Sequence, residues 1–131
     1  MVAWPSNCES FLPSVLIADD NAGWRDIVGD ILSRAGFRAL EAADGEEAVE
    51  VVRAERLDIV LLDFHMPRLD GLAALKIIRR EEIWIPAVMI TSNPDELPRD
   101  QVRELRVHTV LAKTVDRHVI VATVTRLVRR N

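Results

Sequence analysis

Five short apolar runs recur along this chain, each followed by a stretch of helical character, and that alternation restricts the fold more than any other feature. The runs occupy residues 14–18, 38–42, 57–63, 87–91 and 107–112. After the first, Ile27, Val28, Ile31, Leu32 and Ala35 recur at helical spacing over 24–35, and Gly36 stops that helix. Asp44 caps the next helix, with Glu46 and Glu47 in the first turn, where negative charge suits the helix dipole. Its inner face reads as Ala48, Val51 and Val52. A third helix spans 72–81 with Leu75 and Ile78 inward, and Pro94 and Pro98 confine a fourth to 99–105. Asp116 begins the last, whose buried stripe is Ile120, Val124, Leu127 and Val128. Such an alternation predicts an α/β fold, a parallel sheet covered on both faces and joined by right-handed crossovers. The run 57–63 is the most apolar and belongs at the centre.

With 131 residues the chain has room for one domain, placed at 14–131 behind a loose arm at 1–13 that carries Pro5, Pro13, Ser6, Ser10 and Asn7 without periodicity. Hydrophobic residues at 49% and charged residues at 29% exclude a disordered chain. A net charge of -4 gives no electrostatic reason to expect nucleic-acid binding. The single cysteine, Cys8, cannot pair within the chain, which fits a reducing compartment. No apolar run reaches the roughly 18 residues that span a bilayer. The N-terminus lacks the basic start and apolar stretch of a signal peptide. The expected location is the cytoplasm, with no membrane partner.

Chemistry-bearing residues fall at the ends of these runs. Asp19 and Asp20 close the first, Asp63 the third, Thr91 the fourth, and Lys113 follows the fifth. In an open parallel sheet, ligands bind outside the carboxyl ends of the strands, where strand order reverses. Three carboxylates, a hydroxyl and an ammonium there make a site for a hard cation and a phosphoryl group. Each residue also has a plainer reading: Asp19 and Asp20 as a helix cap with an acidic neighbour, Asp63 as a strand-ending acid, Lys113 as a surface lysine. Ser92 rivals Thr91, and strand register favours Thr91.

Taken together, Asp19-Asp20, the run Asp63-Phe64-His65-Met66-Pro67-Arg68-Leu69-Asp70-Gly71, Thr91 and Lys113 resemble the receiver domain of two-component response regulators, the CheY-like superfamily. The resemblance covers residues 14–130. It implies a flavodoxin-like (βα)5 sandwich with a five-stranded parallel sheet of order 2-1-3-4-5. It implies Asp63 as phosphoacceptor, attacking a phosphohistidine on a sensor histidine kinase or histidine phosphotransfer protein. Mg²⁺ would be held by Asp20 and Asp63 directly, by Asp19 through water and by the backbone carbonyl of His65. Lys113 would pair with the phosphoryl oxygens, and Thr91 would turn toward them, switching a surface read by an unnamed downstream protein. Such a domain is a signalling element that catalyses only its own phosphorylation and dephosphorylation. The side chains of His65 and Asn93, each two residues beyond a site residue, would tune the lifetime of the acyl phosphate. Asp70-Gly71 reads as a tight turn capping the third helix, and Met66-Pro67 as a shaper of the loop.

The chain departs from the family on one side. Thr114 stands where proline usually follows the lysine in a cis peptide, so the Lys113–Thr114 link is either trans with a reshaped loop or cis under strain. Val110 occupies the place of an aromatic residue that changes rotamer on activation. Leu105-Arg106-Val107-His108 replaces a Gly-Ala segment, and Pro98 lies at the fourth helix. The phosphorylation site reads as intact and the output face as altered. Trp24, near the acidic pair, is a candidate fluorescence reporter of metal, and Trp84 is expected at a sheet or helix edge. His108 and His118 have no evident partner. Arg126, Arg129 and Arg130 suit the dipole of the last helix.

Two other classes remain. A degenerate receiver would bind a partner without phosphorylation. A metal-dependent phosphatase usually offers an Asp-x-Asp arrangement, which Asp63-Phe64-His65 does not. An end just beyond the fifth helix fits a domain complete in itself and equally a piece of a longer regulator.

Overall fold

The computed structural model describes residues 12–129. Residues 1–11 of the expected arm, and Arg130, lie outside them. Five strands, β1 (Ser14–Ala18), β2 (Arg38–Ala42), β3 (Ile59–Asp63), β4 (Ala87–Thr91) and β5 (Thr109–Ala112), alternate with five helices. These are α1 (Ala22–Arg34), α2 (Gly45–Ala54), α3 (Gly71–Arg80), α4 (Arg99–Glu104) and α5 (Arg117–Arg129), with a 3₁₀ turn at Pro94–Glu96. Every pairing is parallel and the order is β2-β1-β3-β4-β5, the flavodoxin-like arrangement. β3 is central and buried along its whole length.

Side chains alternate across a strand, so each apolar run feeds two cores. Leu16, Val60, Leu62, Ala87 and Met89 face one way, against Ala48, Val52, Leu72, Leu75 and Ile78 of α2 and α3. Val15, Ile17, Ile59, Leu61, Val88 and Ile90 face the other, against Val28 and Leu32 of α1 and Ile120, Val124 and Leu127 of α5. Helix ends follow their caps. Asp44 accepts from Glu47 N at 2.8 Å, Asp70 from Ala73 N at 2.7 Å, and Gly36 leaves α1 at φ 97°.

Three expectations need correction. The inner face of α2 is Gly45, Ala48, Val49 and Val52, a clean i, i+3, i+4, i+7 stripe, and Val51 is only half-buried beside it. β3 starts at Ile59, because Asp58 is spent on Ser14, its Oδ2 accepting from Ser14 N at 2.7 Å. β5 starts at Thr109, because Val107 N and His108 N close the loop onto Val102 O and Ala87 O.

That loop holds Arg106 at φ 56°, a left-handed conformation that costs an L-residue about 1–2 kcal/mol. Arg106→Gly is therefore expected to stabilise the domain by about 0.5–1 kcal/mol once the entropy of glycine is counted, read as a higher urea midpoint. Nearby, Trp84 stays 54% exposed in the loop between α3 and β4, with the Arg79 guanidinium 4.5 Å and that of Arg106 5.8 Å from its ring centroid. His108 does have a partner, meeting Trp84 edge-on at 6.4 Å. No cis peptide occurs among the described residues, so Lys113–Thr114 is trans.

Candidate functional site

The carboxyl ends of β1, β3, β4 and β5 converge on one pocket. Asp19 is fully buried just beyond β1. Its amide donates to Ala42 O at 3.0 Å, its Oδ1 accepts from Asn21 N at 2.8 Å, and its carbonyl accepts from Arg25 Nη1 at 2.6 Å. Arg25 is itself held by Glu41 of β2, Nε to Oε1 at 3.0 Å. The neighbouring Asp20 is exposed. Asn21 caps α1 by accepting from Trp24 N at 3.0 Å, so the acidic pair enters a fixed turn.

Asp63, the last residue of the central strand, is only 4% exposed. The chain beyond it is pinned on both sides: Phe64 N donates to Ile90 O, and Gly71 N returns to Phe64 O. Gly71 is needed there, since a Cβ would collide with the Asp63 carbonyl oxygen and lie 2.9 Å from Met89 Sδ. Asp19, Asp20 and Asp63 each bring a carboxylate oxygen within 4.8 Å of the others. Lys113 Nζ reaches across to Asp19 Oδ2 at 2.8 Å and Asp63 Oδ2 at 3.3 Å. Thr91 is fully buried, and its Oγ1 accepts from Asn93 N at 3.2 Å, whereas Ser92 is exposed.

These neighbours set the electrostatics. Burial, and then the Asp19 carboxylate, hold the Asp63 pKa above the ordinary carboxylate value, and Lys113 offsets only part of this. Burial acts to lower the Lys113 pKa, but pairing with Asp19 and Asp63 outweighs it and the net shift is upward. The pocket therefore carries an excess of negative charge and one held ammonium, a poor place for an anion until a cation joins it.

The side chains of His65 and Asn93, expected at the entrance, make their own bonds outside the carboxylates and lysine. The exposed His65 side chain contacts Glu96 through Nε2, linking the loop after β3 to the one after β4, and its ring lies 4.7 Å from that of Phe64. Asn93 caps the 3₁₀ turn, accepting from Asp95 N at 3.3 Å. Sequence reasoning missed Arg25, Glu41 and Glu96. Glu41 left one signal, a charge in the second-last place of an apolar strand, and Glu96 left none. A further signal went unused: Lys76 and Lys113 are the two lysines beside fifteen arginines, and a compact ammonium is what a small anion site requires.

Residues 15–125 match the family described as the response regulator receiver domain, and the chain belongs to that family. Sporulation initiation phosphotransferase F of Bacillus subtilis is 31% identical over 102 residues, covering 78% of this chain and 82% of that protein. The alkaline phosphatase synthesis transcriptional regulatory protein PhoP of the same organism is 28% identical over 117 residues, covering 89% of this chain and 49% of that protein. The chain thus spans about half the length, or less, of several curated relatives that it matches. Among solved structures, the receiver domain of Francisella response regulator 1452 superposes with a TM-score of 0.82 at 25% identity, covering 90% of this chain and 98% of that one. Response regulator protein TrrA of Thermotoga maritima, solved in complex with Mg²⁺ and BeF, shares the fold with a TM-score of 0.79 at 22% identity, covering 88% and 99%. Receiver domains are signalling domains of two-component systems. No helix among the described residues is long and apolar enough to cross a membrane.

Proposed function

We propose that residues 14–131 form a phosphoacceptor switch in which Asp63 takes a phosphoryl group from a phosphohistidine of a sensor histidine kinase or histidine phosphotransfer protein. The observation that carries this reading is Asp63 itself, a buried carboxylate ending the central strand between two further carboxylates and one lysine. In the transfer, a bond forms between the Asp63 carboxylate oxygen and phosphorus as the P–N bond of the donor imidazole breaks.

The pocket fits Mg²⁺. It offers hard oxygen donors within 4.8 Å of one another, and buried Asp19 Oδ2, although 2.8 Å from Lys113 Nζ, has no hydrogen-bond donor aligned with it. Asp20, Asp63 and the His65 carbonyl would hold the ion, with Asp19 acting through water; bound there, Mg²⁺ supplies the positive charge that lets one anion approach another. Lys113 is the other charge, ready to leave Asp19 for a phosphoryl oxygen. Thr91 Oγ1, bonded to Asn93 N, can exchange that partner for the same oxygen and so draw the loop after β4 inward. His65, joined to Glu96 across the mouth, and Asn93 then govern how readily water reaches the acyl phosphate. The output is a protein-binding surface on the α4–β5–α5 side, and the domain acts in the cytoplasm.

Intact-mass spectrometry after incubation with acetyl phosphate and Mg²⁺ tests this reading. One added phosphoryl group is expected, and none with Asp63→Asn or with EDTA. A folded wild-type domain that gains nothing while binding Mg²⁺ would instead be a phosphorylation-independent binding module.

A further inference from the structure

The Lys113 ammonium is flanked by two carboxylates, donating to Asp63 Oδ2 and paired by charge with Asp19 Oδ2. Its third side faces the indole of Trp24, whose ring centroid lies 5.2 Å from Nζ. Trp24 stands in the first turn of α1, its amide held by the Asn21 cap and its ring half-buried against the core shared by β1, β3 and α5. Among the described residues, the loop after β5 directs Lys113 through main-chain bonds, Lys113 N to Thr91 O at 2.9 Å and Val115 N to Ala112 O at 3.0 Å. Thr114 is exposed and its peptide link to Lys113 is trans. What steers the lysine side chain therefore comes from the opposite side of the pocket. The face of an indole carries partial negative charge and attracts a cation, most of all where water is excluded, and the Lys113 side chain is 21% exposed.

We propose that Trp24 is a positioning residue for Lys113: its indole face holds the ammonium against Asp19 and Asp63 in the resting domain and gives it up when an anion enters the pocket. The proposal rests on the phosphoacceptor reading for its second half. The resting contact stands independently of it. Because an indole changes its emission when a cation leaves its face, the same residue reports occupancy by an anion as well as by metal.

The chemistry of the chain permits a direct test. With Lys76 and Lys113 as the two lysines, ¹³C-lysine labelling gives two ε-methylene signals, one of them from the exposed Lys76. In the full chain the Lys113 ε-protons are expected upfield, shifted by the indole ring current, and Trp24→Leu should return them to the Lys76 position. Phosphoryl uptake from acetyl phosphate should slow by about 3- to 10-fold in Trp24→Leu, and by less in Trp24→Phe, which keeps an aromatic face. The urea midpoints of both variants measure what the half-buried ring adds to stability, and the slowing should exceed what that loss accounts for. With Trp4 and Trp84 replaced by Phe, beryllofluoride plus Mg²⁺ should alter Trp24 emission, and Lys113→Ala should remove that part of the response. A Lys113 signal unmoved by Trp24→Leu would overturn the proposal, as would a slowing that merely follows lost stability. A wild type that accepts no phosphoryl group would defeat the phosphoacceptor reading instead, and the Lys113 signal would still decide the resting contact.

Discussion

In metal-free buffer, Asp63→Asn is expected to unfold at a higher urea concentration than the wild type, even though the same variant is expected to take up no phosphoryl group. The ionised Asp63 carboxylate is buried beside that of Asp19, and the folded domain holds its proton more tightly than the unfolded chain does. Stability from that source is fully present below the ordinary carboxylate pKa and is lost as pH rises through the higher folded-state value. Near neutrality the wild type has lost it, whereas asparagine has nothing to ionise. The gain should be about 1 kcal/mol, the scale of favourable charge-removing substitutions. Urea midpoints measured in EDTA across acidic to neutral pH should show the wild type declining relative to the variant. A variant no more stable than wild type at neutral pH would mean that Lys113 neutralises the pair more completely than its position between the two carboxylates implies.

Gly71→Ala is expected to damage both stability and chemistry. Most overpacked sites relax by turning a side chain, but here the added methyl meets the main-chain oxygen of Asp63. That oxygen cannot yield without moving the strand end, which Phe64 N and Gly71 N tie down on either side. A loss of about 1–3 kcal/mol is expected, in the range for added methylenes in packed interiors. Since the displaced atom belongs to Asp63, phosphoryl uptake should slow further than the fraction unfolded accounts for. Chemical denaturation together with initial rates from acetyl phosphate separates the two effects. A variant with full stability but a slow rate, or the reverse, would show that Gly71 serves only one of them.

Much of this molecule is legible in its sequence because its signals are local. Asp44, Asp70 and Gly36 set helix ends through bonds to residues at most three or four away, and the apolar runs are short enough to be strands alone. Strand order is different. Periodicity gives alternation, and only the resemblance carried by the strand-end residues gave the order 2-1-3-4-5. Boundaries slipped where an apolar residue packs outside the ladder: Leu57 and Val107 touch the core yet precede their strands. On α2, Val49 belongs to the buried stripe and Val51 lies beside it, and composition does not choose between them. Within the site, the residues that end strands were readable, since topology alone gathers them. The contacts that hold those residues were not. Arg25 finds Glu41 from an adjoining strand, Glu96 finds His65 from the next loop, and Trp24 finds Lys113 from the far end of the chain. Each needs the folded geometry before it exists.

The strand that borders the sheet at β5 has a consequence for where this domain can yield. It is four residues long and half-buried throughout, and α4 before it buries none of its six residues. By contrast β1 and β3 are wholly buried. Little apolar area has to be uncovered to shift this hem, so its local opening costs far less than global unfolding. Thr91 lies on the seam between the two regimes, its carbonyl held by Lys113 N of the pliant side and its strand rooted in the firm one. On the proposed phosphoacceptor reading, a chemical event at Asp63 worth only a few charge-assisted hydrogen bonds would be enough to reshape the border while the interior keeps its form. Amide exchange across residues 91–118 is where that difference in compliance will be written.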